Sequence, residues 1–120
     1  MEQKIGDESR EPDAEKVVLV YLTCPDMAGA RALARQLVEK RLASGVNILP
    51  GAFSVYRWQG AIREREECLL FAQVAGRIFD KFAEFVVSGH PYSTPCVLAL
   101  PVAGGSPDFL RWVGANSGTD

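Results

Sequence analysis

Hydrophobic positions change their period several times along the chain, and each change marks an element. Residues 17–23, Val-Val-Leu-Val-Tyr-Leu-Thr, form a near-continuous apolar and β-branched run, which predicts a central strand with little solvent on either face. Cys24-Pro25-Asp26 stops it. Asp26 is a good N-cap, and Ala30, Leu33, Ala34, Leu37, Val38 and Leu42 follow at spacings of three and four, the stripe of an amphipathic helix. Gly45 is expected to close that helix as a left-handed cap. From Val46 to Trp58 the pattern becomes strand-like, with Pro50-Gly51 predicting a bend or bulge, and Gln59-Gly60 reads as a hairpin turn. The return strand, from about Ala61 to Val74, opens on Arg63-Glu64-Arg65-Glu66-Glu67 and closes on Cys68-Leu69-Leu70-Phe71-Ala72. Its first half is therefore expected in solvent or against another chain, and its second half in the core.

A second helix is predicted from about Arg77, with Ile78, Phe79, Phe82, Phe85 and Val86 on its apolar stripe and Ser88-Gly89 at its end. The chain's only histidine, His90, then opens His90-Pro91-Tyr92-Ser93-Thr94-Pro95, a segment stiffened by two prolines that hold His90 and Thr94 away from helix. Cys96 to Val102 reads as the last strand. Ser106 as N-cap and Pro107 at the first helical position begin a short helix containing Phe109, Leu110, Trp112 and Val113. The order β-α-β-β-α-β plus a terminal helix is an α+β, ferredoxin-like sandwich, in which the first and last strands lie side by side and antiparallel.

Composition narrows the function classes. Of 120 residues 48% are hydrophobic, as expected for one core. Residues 1–16 carry six acidic and three basic side chains, so they hold −3 of a net charge of −2 and leave the body at +1. They read as a flexible acidic N-terminal extension, with the folded domain at 17–115 and a tail at 116–120. A near-neutral body without a lysine or arginine cluster speaks against nucleic-acid binding, and no stretch approaches the length of a membrane span. Cys24, Cys68 and Cys96 include no Cys-x-x-Cys pair, so a reducing cytoplasm is expected rather than a disulfide framework.

Five runs, in order, resemble the CutA family of divalent-cation tolerance proteins. They are Val38-Glu39-Lys40-Arg41-Leu42-Ala43, Val46-Asn47-Ile48-Leu49-Pro50-Gly51, Tyr56-Arg57-Trp58-Gln59-Gly60, His90-Pro91-Tyr92-Ser93-Thr94-Pro95 and Ala99-Leu100-Pro101-Val102, spread over residues 17 to 113. The resemblance implies a ferredoxin-like fold in a homotrimer whose long hairpin reaches onto neighbouring subunits, and a role in the response to divalent metals such as copper. It also carries departures: Gly45 stands where the family often has cysteine, Gln73 where it often has lysine, and Cys96 where glutamate is common. Of the cysteine and paired histidines that some copper-binding members carry at the positions of Leu22, Gly89 and His90, only His90 is retained.

The chemistry is read from the residues themselves. Pairing the first strand with the last brings Cys24 near Cys96, with His90 on the connection leading there. Two thiolates and an imidazole suit a soft or borderline ion, copper or another divalent metal, and no organic cofactor is expected. The competing reading makes Cys24 and Cys96 small buried hydrophobes and His90 a cap of the preceding helix. Glu64, Glu66 and Glu67 alternate with Arg63 and Arg65, which suits cross-strand or intersubunit pairing better than catalysis. Tyr56 and Trp58 share one strand face, with Arg57 opposite. They suit a subunit interface, or the stacking of a planar ligand with Arg57 on an anion. Gly104-Gly105-Ser106 is a weak phosphate signal. The lone histidine has no orienting acid, so the chain is expected to be non-enzymatic. The alternative function is a regulatory protein of the PII-like kind, trimeric as well, holding a nucleotide or small anion in intersubunit clefts.

Overall fold

The run Val17–Cys24 forms β1 and takes the central place that its apolar character requires, with β3 (Ala61–Ala75) on one side and β4 (Val97–Pro101) on the other. The computed structural model describes residues 16–118, so all of the acidic extension but Lys16 lies outside the described residues. β2 (Gly45–Trp58) lies beyond β3. The sheet order is β2-β3-β1-β4 with every neighbouring pair antiparallel. Helix α1 (Met27–Glu39) and helix α2 (Phe79–Gly89), the latter preceded by a 3-10 turn at Gly76–Ile78, pack on the face that carries Val20, Leu22, Leu70, Ala72 and Val74. Ala30 and Leu37 of α1 and Phe82 and Val86 of α2 complete this core, each large side chain contributing about 1.5–3 kcal/mol by leaving water.

The other face is only partly covered. Helix α3 (Pro107–Asn116) crosses one end of it and buries Val113. Trp112 lies over Gly45: a Cβ there would stand 3.6 Å from the indole and 2.8 Å from Gln73 Oε1. The missing side chain at Gly45 thus leaves room for Gln73, which donates to Asn47 Oδ1 at 2.9 Å.

The Pro50-Gly51 irregularity is a β-bulge. Leu49 pairs with Leu69 but Ala52 pairs with Glu67, so Pro50 and Gly51 stand opposite one residue, Cys68. Gly51 adopts φ +80°, which glycine reaches without cost. Because strand side chains alternate, the extra residue changes parity. Before the bulge, odd-numbered residues of β2 share a face with Leu69 and Phe71. After it, Ser54, Tyr56 and Trp58 do. Gln59 and Gly60, at φ +51° and +81°, then close the hairpin in a two-residue turn of the I′ kind.

Helix α1 ends earlier than its apolar stripe predicts. Asp26 caps it as expected, accepting from Gly29 N at 2.7 Å, but the left-handed residue is Arg41 at φ +60°, not Gly45, which begins β2. Leu42 N bonds to Leu37 O at 2.8 Å and Arg41 N to Val38 O at 3.1 Å, the paired bonds of a Schellman closure. What holds a non-glycine residue there is its side chain. Arg41 Nε donates to Gly118 O at 2.9 Å and its Nη2 to Ala115 O at 2.7 Å. Arg77 Nη2 reaches Gly114 O at 3.2 Å and Ser117 O at 3.1 Å. Two arginines from elsewhere thus meet the carbonyl end of α3, which has no basic residue in its own last turn. Ser117 is fully buried, its Oγ accepting from Ala75 N at 2.9 Å and donating to Val113 O at 2.6 Å. The packed body therefore continues to Gly118, past the boundary expected at residue 115.

Arg41→Ala removes both bonds to α3 and keeps the left-handed backbone, so it is expected to lower the unfolding free energy by about 2 kcal/mol in urea titration. Arg41→Gly loses the same bonds but relieves about 1 kcal/mol of backbone strain, so it is expected to fall between Ala and the parent. At the bulge, Gly51→Ala meets no atom within 4 Å, so only the φ penalty of about 1–2 kcal/mol is expected by the same measurement.

Candidate functional site

The stiff segment after α2 returns the chain to the end of β1, and His90 pins it there. His90 Nε2 lies 2.8 Å from Thr23 O, and Tyr92 N donates to His90 Nδ1 at 3.1 Å. Both ring nitrogens are used, in the pattern of the Nε2–H tautomer. The corner thereby presents Tyr92, whose ring lies 4.7 Å from that of His90 by centroids and carries the guanidinium of Arg65 4.7 Å over it. Tyr92 Oη donates to Glu67 Oε2 at 2.6 Å. Arg65 in turn donates through Nε to Tyr56 Oη at 2.9 Å.

These groups frame a cleft of about 500 Å³ on the sheet face away from α1 and α2. Its walls are Tyr21, Tyr56, Trp58 and Tyr92, with Arg63 and Arg65 from β3, and Glu67 and Cys96 also line it. The register explains the assembly: Tyr56 stands opposite Arg63 and Ser54 opposite Arg65, while Glu67 follows two residues on along the same face. Glu67 departs from the pairing expected for the charged run. Glu64 and Glu66 are exposed on the opposite face, whereas Glu67 is 7% exposed and takes its hydrogen bond from a tyrosine. Sequence reasoning placed Tyr56 and Trp58 together but missed Arg63, Arg65 and Glu67 as their partners. The two-residue turn at Gln59-Gly60 fixes that pairing and was the available signal.

The expected metal-binding residues divide between the two faces. Cys24 is buried in the core, opposite Cys68 in the β1–β3 register, and its Sγ lies 4.0 Å from His90 Nε2. Cys96 precedes β4 and faces the cleft. The structure thus brings Cys24 and His90 together and leaves Cys96 apart. Among the described residues no group of three or more His, Cys, Asp and Glu side chains is placed to share an ion. Arg57 is exposed on the strand face opposite the cleft, and Ser106 makes no side-chain bond at the start of α3.

Burial sets the acidities. The Cys24 thiol is pushed from 9.0 up to about 11 by burial first, then by the neighbouring Cys68, Asp26 and Glu67. Burial, followed by the bond to Glu67, pushes Tyr92 from 10.0 up to about 12. Both groups are neutral when protonated, and folding favours that form. Their contribution is complete below the unfolded values and is lost as pH rises through the folded ones. The unfolding free energy in urea under reducing conditions is therefore expected to fall between about pH 9 and about pH 12. Tyr92→Phe is expected to make that fall shallower, leaving the shares of Cys24, Tyr21 and Cys96, which burial also pushes up.

The family description "CutA1 divalent ion tolerance protein" matches residues 18–116. A divalent-cation tolerance protein CutA from Thermus thermophilus is 45% identical over 104 residues, covering 87% of this chain and 99% of that protein. Protein CutA of Mus musculus is 41% identical over 109 residues, covering 86% of this chain but only 62% of its own length. Among solved structures, the divalent cation tolerance protein of T. thermophilus superposes with a TM-score of 0.83 at 43% identity, covering 85% of this chain and 99% of that one. CutA1 of Oryza sativa superposes with a TM-score of 0.84 at 33% identity, covering 88% and 96%. The chain belongs to the CutA1 divalent ion tolerance family.

Proposed function

We propose that this protein is a non-catalytic, ferredoxin-like homotrimer of the reducing cytoplasm that serves the response to divalent metal ions and binds a copper ion between Cys24 and His90. The observation that carries the binding is the 4.0 Å approach of Cys24 Sγ to His90 Nε2. Zinc–sulfur and zinc–nitrogen bonds of about 2.3 and about 2.0 Å sum to about 4.3 Å, and a first-row ion of similar size held between two donors needs a separation close to the one seen. The ion competes with two things: a thiol proton held with a pKa of about 11 and the bond from His90 to Thr23 O. Affinity is therefore modest and rises with pH. All three cysteines are free thiols, in keeping with a reducing compartment.

Trimerisation is supported by what the fold leaves uncovered. β2 and β4 are sheet edges. Past the bulge, Phe53, Val55 and Ile62 project from the side of the hairpin away from the cleft, and Phe53 is 67% exposed. Leu98 and Leu100 are exposed on β4. Apolar side chains along an open strand edge are what a neighbouring subunit covers.

A PII-like reading, in which a nucleotide or small anion sits in clefts between subunits, is favoured by one observation: the aromatic cleft carries two arginines, Arg63 and Arg65.

Competition titration with Cu(I) under reducing conditions is expected to give an affinity that falls at least about tenfold in Cys24→Ser and in His90→Asn and is unchanged in Cys96→Ser. Equal affinity in all four proteins removes the site. Sedimentation equilibrium at low micromolar concentration is expected to give three times the chain mass of 13.1 kDa, with Phe53→Asp shifting the population to smaller species. A stable parental monomer contradicts both the trimer and the intersubunit clefts.

A further inference from the structure

Glu67 is the only charged side chain that the fold buries among the described residues. Buried charges are ordinarily paired, because an uncompensated one costs several kcal/mol. Here the carboxylate accepts one hydrogen bond, from Tyr92 Oη. The ion pairs among the described residues, Arg35–Glu39 and Arg111–Asp108, lie elsewhere. Arg65 is turned toward the rings of Tyr92 and Tyr56 instead. A carboxylate with spare acceptor capacity therefore faces a cleft of about 500 Å³, the size that takes a small organic molecule.

The other walls restrict what that molecule is. Arg63 and Arg65 against Glu67 leave the cleft with one net positive charge, which disfavours a simple ammonium or metal cation. A simple anion is disfavoured at the same place by Glu67 itself. Tyr56 and Trp58, on one strand face, offer flat apolar surface. A ligand that satisfies all of these is planar, presents N–H donors along one edge and carries an anionic group. We infer that the cleft binds a nitrogen heterocycle with an anionic tail, of the nucleotide class, its N–H edge on Glu67, its ring against Tyr56 and Trp58 and its anion on Arg63. The assignment rests on the second reading above, that the cleft holds a small ligand, and adds the group that selects it.

The test uses the full chain and guanosine monophosphate, whose base offers adjacent N–H donors, with inosine monophosphate and inorganic phosphate as comparisons. Binding is followed by quenching of tryptophan emission, with Trp58→Phe assigning the signal. Saturable quenching is expected with guanosine monophosphate, weaker binding with inosine monophosphate and weaker still with phosphate. Glu67→Gln is expected to weaken the guanosine nucleotide at least about tenfold and to leave phosphate no weaker, whereas Arg63→Ala is expected to weaken both. Unchanged nucleotide affinity in Glu67→Gln overturns the inference and leaves the cleft as an anion site. Failure of both guanosine monophosphate and phosphate to bind overturns the inference and the reading beneath it. Thermal unfolding provides a second measurement. Without ligand, Glu67→Gln is expected to melt no lower than the parent, since it removes a buried charge that lacks an ionic partner. A melting point several degrees lower shows that another subunit already pairs this carboxylate, and overturns the inference.

Discussion

The parity change at Pro50-Gly51 is the constraint on which the cleft depends. A strand alternates its side chains with a period of two, so one extra residue turns every later side chain to the other face. Upstream of the bulge, β2 is an ordinary outer strand, placing Val46 and Ile48 against the helical core. Downstream, the same strand presents Ser54, Tyr56 and Trp58 to the face shared by Tyr21, Thr23 and Glu67. Phe53 and Val55 are left on the side that α1 and α2 cover further back, but beyond the reach of those helices. A single backbone irregularity thus produces both an aromatic cleft and an apolar outer surface. Gly51 allows it because its φ of +80° is open to glycine.

The corner from His90 to Pro95 supplies the cleft's third wall. Its two prolines restrict the backbone, and the contacts of His90 with Thr23 O and Tyr92 N attach it to the end of β1. Tyr92 is then held by ring contacts with His90 and with Arg65, its hydroxyl on Glu67. Little conformational freedom remains for this side chain to lose when something binds beside it. The histidine is a positioning element for a tyrosine, with both ring nitrogens occupied and Cys24 Sγ 4.0 Å from Nε2.

Elements with strong periodicity were readable from the chain alone. The apolar run of β1, the stripes of α1 and α2, the turn at Gln59-Gly60 and the Pro107 start of α3 all appear where the pattern places them. The end of α1 was not readable, because the stripe continues to Leu42 and glycine is the usual left-handed residue. Arg41 takes that conformation through bonds to residues more than seventy positions away, which local pattern does not contain. The site was half legible for a similar reason. Alternation put Tyr56 with Trp58, but the burial of Glu67 depends on Tyr92 arriving from a different part of the chain. Antiparallel pairing of β1 with β4 led to the expectation of Cys24 near Cys96, whereas the side chain found 4.0 Å from Cys24 Sγ is that of His90. The separation of Cys96 followed from the face it occupies.

The fastening of α3 by Arg41 and Arg77 also bears on the order in which the fold is completed during synthesis. The carbonyls that these arginines meet belong to residues 114, 115, 117 and 118, and Gly118 N bonds back to Arg41 O. While a ribosome is still making the chain, α1 and β3 offer the side chains of Arg41 and Arg77 no carbonyls of α3, so the left-handed closure at Arg41 is not yet held. Closure waits until the last turn of α3 has emerged. Until then, one end of the open sheet face has nothing over it, so residues 107–118 are expected to act as a latch on folding as well as a cover for the sheet.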